Sequence, residues 1–280
     1  MLSKCNKMRD INTFGAHATR LRFRMLRAAS GQPLLVINKL RLAMEVETTS
    51  LLILNDDCLD NIFVYFTLDE LMLLFGSLHS LIDAAVERQL HRFRHFEFSM
   101  RFPPQYNEIQ LQALGRHLQS LSVNVGYSVR SNSSVIGQML HPLLVGAAAG
   151  EGGRLRALKI QHTYINSSYI KLISLVVHCL SELDLSRCDV DDTNEFMLLL
   201  RSATKLKALA LYNEHAAVLE ESLLSRLQLL KINWMVGTQL FDVAALNQKY
   251  PFLSIVVYQA NQVDVYGPPA VGKIAYFRDI

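Results

Sequence analysis

The sequence lacks long apolar runs, paired cysteines and a basic body, and each absence excludes a class of protein. No run of about 18 apolar residues occurs in the 280-residue chain, so we expect no membrane-spanning helix. The four cysteines show no paired spacing, and no signal peptide is recognisable. Both observations favour a reducing compartment, either the cytoplasm or the nucleus.

Positive charge is concentrated at the start of the chain. Residues 1–44 contain nine Lys or Arg and a single acid, Asp10, whereas the other 236 residues contain 19 Lys or Arg and 24 Asp or Glu. A body of net charge −5 argues against a nucleic-acid partner. We expect residues 1–50 to be a basic, disordered leader, with Met44 as an alternative start. A mitochondrial targeting segment is the minor alternative.

What the sequence does contain is a dense apolar segment behind this leader. Within residues 54–92, three consecutive stretches repeat apolar residues at helical spacing. The first follows Asn55–Asp57, any of which can cap a helix. The second begins at the capping box Thr67–Glu70. Three short helices cannot bury this much apolar surface among themselves, so the surplus must pack on the rest of the chain or on a partner.

The same segment resembles the F-box, the helical module that docks on the Skp adaptor of cullin-type ubiquitin ligases. The match is carried by Leu54-x-Asp56-Asp57-x-Leu59-x-x-Ile62-Phe63-x-x-Phe66-x-x-x-Glu70-Leu71-x-x-Leu74. Two features depart from the family: Asn55 stands where proline is usual, and residues 77–81 (SLHSL) replace a Val-Cys-basic-x-aromatic pattern. The resemblance implies an adaptor-binding surface, although part of this set must face the chain's own core. The residues expected to form it are Leu54, Leu59, Ile62, Phe63, Phe66, Leu71 and Leu74.

A Leu-x-x-Leu-x-Leu pattern repeats through the rest of the chain. Five copies begin at Leu155, Leu180, Leu206, Leu227 and Phe252, and two looser copies begin at Phe93 and Leu118. Successive starts are separated by 25, 37, 25, 26, 21 and 25 residues. This period is typical of leucine-rich repeats, which contribute one strand and one helix each. We interpret the extra residues of the 37-residue step, within Asn124–Gly153, as a loop insertion.

The order of the two patterns resembles the F-box/leucine-rich-repeat class of substrate receptors. The resemblance implies an α/β fold with a three-helix F-box-like module at 51–92, a repeat solenoid at 93–262 and a tail at 263–280. Parallel strands would line the concave side of the solenoid. It also implies a non-catalytic subunit that binds the Skp adaptor, and through it a cullin, and captures a target protein. The alternative is a leucine-rich-repeat scaffold whose helices form an N-terminal cap without a ligase role.

The strand register predicts which side chains a target protein would contact. If Leu158 and Ile160 point inward, the alternating residues Lys159 and Gln161 face the concave surface, and later strands follow the same register. That surface is mixed, with aromatic side chains late in the chain, which suits a protein epitope better than a phosphate backbone. The residues expected to bind the target are Tyr212, Lys231, Asn233 and Tyr258.

A near match to a phosphate-binding loop offers a further alternative, an enzyme that binds nucleotide. Gly267, Gly272 and Lys273 have the required spacing. Ile274, however, occupies the position where Ser or Thr would ligate magnesium. We therefore expect no nucleotide or other cofactor here.

Two further constellations are weaker. His91 and His95 have the spacing of metal ligands on a helix, but no third ligand is evident and the neighbouring arginines would repel a cation. Cys179 and Cys188 flank a predicted strand, and we expect them to be structural. The sequence therefore predicts neither a catalytic residue nor a metal site.

Overall fold

The computed structural model describes residues 52–126, 133–150, 153–234, 242–259 and 262–268. The expectations for the leader therefore lie outside the described residues. The described residues up to Leu59 and those from Asp60 onward belong to two separate units.

Three helices precede the first strand. They are α1 (Asp56–Phe63), α2 (Leu68–Leu74) and α3 (Ser80–Leu90). Asn55 precedes α1, and its side-chain oxygen accepts a hydrogen bond from the Cys58 N–H at 3.0 Å. The predicted capping box is confirmed at α2, where Thr67 and Glu70 exchange side-chain and backbone hydrogen bonds. Both contacts satisfy amide groups that a helix start leaves unpaired.

An eight-stranded sheet follows, and each strand pairs with the next along the chain. The strands are β1 (His95–Ser99), β2 (Ser120–Asn124), β3 (Ala157–Ile165), β4 (Glu182–Val190), β5 (Ala208–Tyr212), β6 (Leu229–Trp234), β7 (Ser254–Gln259) and β8 (Gln262–Tyr266). All pairs from β1 to β7 are parallel, and β8 is antiparallel to β7. The α/β class predicted from the sequence is confirmed, and the seven predicted strand segments coincide with β1–β7.

Helices connect the parallel strands, because a parallel pair needs a long crossover. In chain order they are α4 (Glu108–Gly115), α5 (Ser133–Ala149), α6 (Ser167–Ser174), α7 (Thr193–Ser202), α8 (Asn213–Ala216), α9 (Glu221–Leu224) and α10 (Val243–Lys249). Side-chain caps begin several of them; the Asp192 carboxylate, for example, accepts N–H groups of Asn194 and Glu195 at the start of α7. Where such a cap is present, it fixes the residue at which the crossover becomes helical.

The longest row of core residues lies on one face of the sheet. Register places one apolar residue from each central strand in a straight row, and every member is at most 1% exposed. The row consists of Leu121, Leu158, Leu183, Leu209, Leu230 and Ile255. Each of these residues is the second apolar residue of its Leu-x-x-Leu-x-Leu motif, so the repeat pattern predicts the buried row directly.

Two details of the repeats differ from the sequence interpretation. Phe252, predicted to begin the last repeat, is 90% exposed, and its neighbour Leu253 is buried instead. The sequence also predicted a tail from residue 263, whereas the structure has strand β8 there, paired with β7. In β8, Val263 and Val265 are exposed, so the strand has little of the burial that makes a repeat recognisable.

The stretch interpreted as a loop insertion is largely helical. Residues 146–149 form the last turn of α5, where the sequence predicted a loop insertion. A methyl group on Gly146 would overlap the Gln112 carbonyl of α4, and one on Gly115 would overlap the Leu143 carbonyl of α5. These glycines let two helix backbones approach closely, which is a packing role rather than a loop role.

Candidate functional site

The seven residues predicted to contact an adaptor divide into two sets by their burial. Leu59, Phe63 and Leu71 are at most 2% exposed, so they stabilise the fold and no partner reaches them in this conformation. The half-buried set consists of Leu54, Ile62, Phe66 and Leu74. The physical reason is simple: an apolar stripe on a short helix marks the face that turns toward its own chain.

Sequence reasoning missed the apolar side chains that do reach the surface of this region. Tyr65 is 71% exposed and Leu73 is 54% exposed, and Val64 and Leu81 are also exposed. Leu73 falls between the apolar positions of α2, and Val64 and Tyr65 follow the end of α1, so the helical pattern does not mark them. Leu81 belongs to the third apolar pattern, but it lies at the start of α3 and is exposed. An apolar residue outside the buried face of a helix is the sequence signal that could have identified them. A surface helix without a binding partner usually has a polar residue at such a position.

Arginine 92 holds the end of α1 in place. Its guanidinium donates to the Phe63 carbonyl at 3.1 Å and to the Phe66 carbonyl at 3.2 Å. These two carbonyls lie at and just beyond the end of α1, where a basic side chain can stabilise groups that the helix leaves unpaired. An exposed ion pair between Arg88 and Asp60 adds a second link between these helices.

Helix α2 is tied to the residues that follow β1. The Gln110 side-chain amide donates to the Met72 carbonyl at 2.6 Å and to the Phe75 carbonyl at 3.1 Å, at the end of α2. The Tyr106 hydroxyl donates to the Asp69 carboxylate, and burial together with this carboxylate raises the pKa of Tyr106. Helix α4 and the residues between β1 and α4 are therefore held to α2 by directional contacts.

The four residues predicted to bind a target lie together on β5, β6 and β7. Register aligns Tyr212, Asn233 and Tyr258 in one row across three strands. The Lys231 ammonium lies 5.4 Å from the centre of the Tyr258 ring, and the Asn233 amide donates to the Ser186 carbonyl of β4 at 2.8 Å. The three row members are half-buried.

These residues share one side of the sheet, which we call the Lys231 face. Its central row consists of Glu97, Ser122, Lys159, Asp184, Ala210, Lys231 and Val256. Glu97 is exposed, and Ser122 and Lys159 are half-buried, but the row is buried from Asp184 onward.

Lys231 itself is only 9% exposed, against the prediction that it is available to a target. Its neighbours on β5, β6 and β7 explain the difference, because they form an apolar cluster against which Tyr258 packs. The members of the cluster are Ala208, Ala210, Leu229 and Val256. A lysine within such a cluster buries its stem, and its charge meets the tyrosine ring.

The structural role predicted for the two cysteines agrees with their surroundings. The Cys188 thiol is buried and donates to the Ile160 carbonyl at 3.1 Å, where the β3–β4 register shifts. Burial raises the pKa of Cys188 to about 12 and also raises the pKa of Cys179, whose thiol donates to the Val176 carbonyl. Neither thiol is a ready nucleophile at neutral pH, because only the thiolate attacks.

One group of possible metal ligands lies within the described part of the chain. Atoms of Asp189, Glu214 and His215 lie within 4.8 Å of one another. The His215 Nε2 atom, however, accepts a hydrogen bond from the Val190 N–H at 3.3 Å, and burial lowers the pKa of His215. A neutral imidazole whose lone pair is already used is a hydrogen-bond acceptor for the backbone, not a free ligand.

Most of the near match to a phosphate-binding loop lies outside the described residues. Of its members, Gly267 has a positive φ of 83°, and a side chain there would overlap the Leu253 carbonyl. This glycine is therefore needed for a tight turn after β8, whatever follows it.

Comparisons with known proteins add no family. No protein-family model matches the chain, and no curated protein matches it. Within the described ranges, no helix combines the length and apolar character needed to cross a bilayer.

Proposed function

We propose that the chain is the substrate-recognition subunit of a Skp–cullin–F-box ubiquitin ligase, with α1–α3 docking on the Skp adaptor. The observation that carries the proposal is the exposure of Val64, Tyr65, Leu73 and Leu81 beside the F-box-like sequence pattern. Helices that served only the chain's own core would bury these residues or replace them with polar ones. The half-buried Ile62, Phe66 and Leu74 add apolar area in the same segment.

The proposal assigns the repeats to capture of a target protein. A leucine-rich-repeat solenoid built from β1–β7 would present the Lys231 face, which is open at β1–β3, where Glu97 is exposed and Ser122 and Lys159 are half-buried. Tyr212, Asn233 and Tyr258, half-buried at the ends of β5–β7, would border that surface. Of the target residues expected from the sequence, Lys231 is the one that such a contact leaves out.

A scaffold without a ligase role is the second candidate, and one observation favours it. Gln110 and Tyr106 fasten α2 to the chain beyond β1 through hydrogen bonds. A helical cap needs this attachment, because it must cover the first repeat of a solenoid. The exposed apolar residues separate the two candidates, since a cap has no use for them.

Co-purification of the full-length chain with a purified Skp adaptor tests the proposal. Tyr65→Asp combined with Leu73→Asp should weaken adaptor binding at least tenfold, because a carboxylate cannot enter an apolar interface without a partner. Leu198→Asp is the matched control: Leu198 is 59% exposed on α7, so its substitution should change binding less than twofold. Circular dichroism establishes that all three forms are folded. Failure of the wild-type chain to bind the adaptor would contradict the ligase role and leave the scaffold.

A further inference from the structure

A basic cleft lies at the end of the sheet where the first three strands begin. It encloses about 320 Å³, which is within the range of small-ligand sites. Its lining residues are His91, Arg94, His117, Gln119, Arg154 and Arg156. None of these described lining residues is acidic.

Three of the lining residues occupy one structural position in successive strands. Arg94, Gln119 and Arg156 directly precede β1, β2 and β3. Their backbones are linked, because the Gln119 N–H donates to the Arg94 carbonyl at 2.7 Å and the Arg156 N–H donates to the Gln119 carbonyl at 2.8 Å. Neighbouring strands lie about 4.8 Å apart, so the two arginine backbones flank Gln119 at a separation of about 10 Å. An anion above Gln119 is within reach of both guanidinium groups.

The Glu87 carboxylate, which raises the pKa of His117, is paired with an arginine. Glu87 pairs with Arg116 at 2.7 Å, and neither residue lines the cleft. Arg94 and Arg156 direct one N–H each to backbone carbonyls, of His91 and Cys179, and retain further donors. Three guanidinium groups therefore face a space in which the described lining residues provide no negative charge.

His117 provides an independent observation. Both of its ring nitrogens are shielded from solvent and have no hydrogen-bond partner within the described residues. Burial lowers the pKa of His117, Glu87 opposes this, and Arg154, His91 and Arg116 lower the pKa further. A shielded imidazole normally has a partner, and an anion in the cleft would accept its N–H.

We propose that this cleft binds a phosphate monoester, held by Arg94, Arg154 and Arg156 with His117 and Gln119 as neutral donors. Guanidinium groups suit phosphate because their paired N–H donors match its oxygens. The phosphate belongs either to a small phosphorylated molecule or to a phosphorylated residue of a peptide. This site stands independently of the ligase proposal, which concerns α1–α3.

Calorimetric titration of the full-length chain at constant ionic strength tests the cleft. The probes are inorganic phosphate, a phosphoserine peptide and the same peptide without phosphate. The wild-type chain should bind the first two and not the third. Tighter binding of the phosphopeptide than of inorganic phosphate identifies a phosphorylated protein as the source, and equal binding identifies a small phosphorylated molecule.

Two substitutions distinguish phosphate binding in the cleft from nonspecific binding of phosphate to a positively charged surface. Arg154 is the cleanest position, because it is exposed and the structure gives its side chain no hydrogen bond within the described residues. Arg154→Gln should weaken phosphate binding at least fivefold. Arg101→Gln is the matched control, since Arg101 is exposed just beyond the opposite end of β1, and it should change binding less than twofold. Absence of phosphate binding in the wild type, or equal weakening by both variants, would overturn the proposal.

Discussion

The two halves of the Lys231 face differ although they belong to one continuous sheet. On β1 and β2 the residues of this face are polar and exposed or half-buried, as in Glu97 and Ser122. On β5–β7 its central residues are buried, and Ala210, Lys231 and Val256 lie in a closed apolar layer. The difference teaches that a shared register does not imply a shared environment, because each strand can be buried on one face or on both.

The largest expected effect compares two positions of the same row. Ala210→Lys places a long charged side chain in the closed half and should lower the free energy of unfolding by about 3–5 kcal/mol, through overpacking and charge burial. Ser122→Lys, in the open half, should lower it by less than about 1 kcal/mol. Urea unfolding followed by circular dichroism measures both. Similar losses for the two variants would show that the halves are equally closed.

A second comparison asks whether the open half is loosely packed throughout. Gly146→Ala forces α5 away from α4, beside β2, and should lower the free energy of unfolding by about 2–3 kcal/mol. Gly137→Ala in the same helix meets no atom within 4 Å and should raise it by about 0.5–1 kcal/mol. Thermal unfolding of both variants provides the measurement. Tolerance of Gly146→Ala would mean that the helix layer behind the open half is soft as well.

The two lysines of the central row give a smaller contrast. Lys231→Ala removes a buried stem and the contact of its ammonium with the Tyr258 ring, and should lower the free energy of unfolding by about 1–2 kcal/mol. Lys159→Ala, in the half-open part of the face, should change it by less than about 0.5 kcal/mol. Chemical denaturation resolves this difference. A larger loss at Lys159 would reverse the assignment of the two halves.

The smallest expected effect is a pH dependence located in the closed half. His215 lies in α8, which directly follows β5, and burial lowers its pKa below the ordinary value of 6.5, with Glu214 and Asp189 opposing the shift. The unfolded chain therefore binds the proton first as pH falls below about 6.5, and stability decreases in that range. His215→Gln should reduce the slope of this decrease, and the part that remains belongs to His117 and His162, whose pKa values burial also lowers. Unfolding midpoints between pH 7 and pH 5 test this; an unaltered slope in His215→Gln would contradict it.

The contrast between the halves was readable in part from the sequence. SLSVN of β2 alternates polar and apolar residues, as expected for one buried face, whereas ALALY of β5 and SIVVYQ of β7 are nearly continuous apolar runs. The repeat pattern records only the inner row, so it assigns the same exposure to the outer row of every strand. Lys231 shows the error, because its charge suggests exposure while its neighbours dictate burial.

The strands and most connecting helices follow from the repeat period, but other features depend on contacts that the sequence does not mark. A glycine such as Gly146 is expected both in loops and where two helices pack closely, so the sequence alone does not distinguish these roles. The Gln112 carbonyl opposite Gly146 shows that it has the helix-packing role. Arg94 and Arg156 are 62 positions apart in the chain, so no local sequence motif predicts that they line one basic cleft. The exposure of Tyr65, which follows α1, likewise becomes known only once the packing of α1 is known.

The strand order has a consequence for how the chain reaches its folded state. Because each strand pairs with the one just before it, the loop closed at each step stays short, even though the sheet is mostly parallel. The entropy of loop closure rises only slowly with length, so every added strand meets a similar barrier. Emerging from the ribosome, β2 can dock on β1 before β3 has been synthesised, and each later strand extends an edge already in place. The chain can therefore fold by adding strands one after another from the N-terminus. A ribosome-bound fragment that ends after β4 should already protect the backbone amides of β2 from hydrogen exchange.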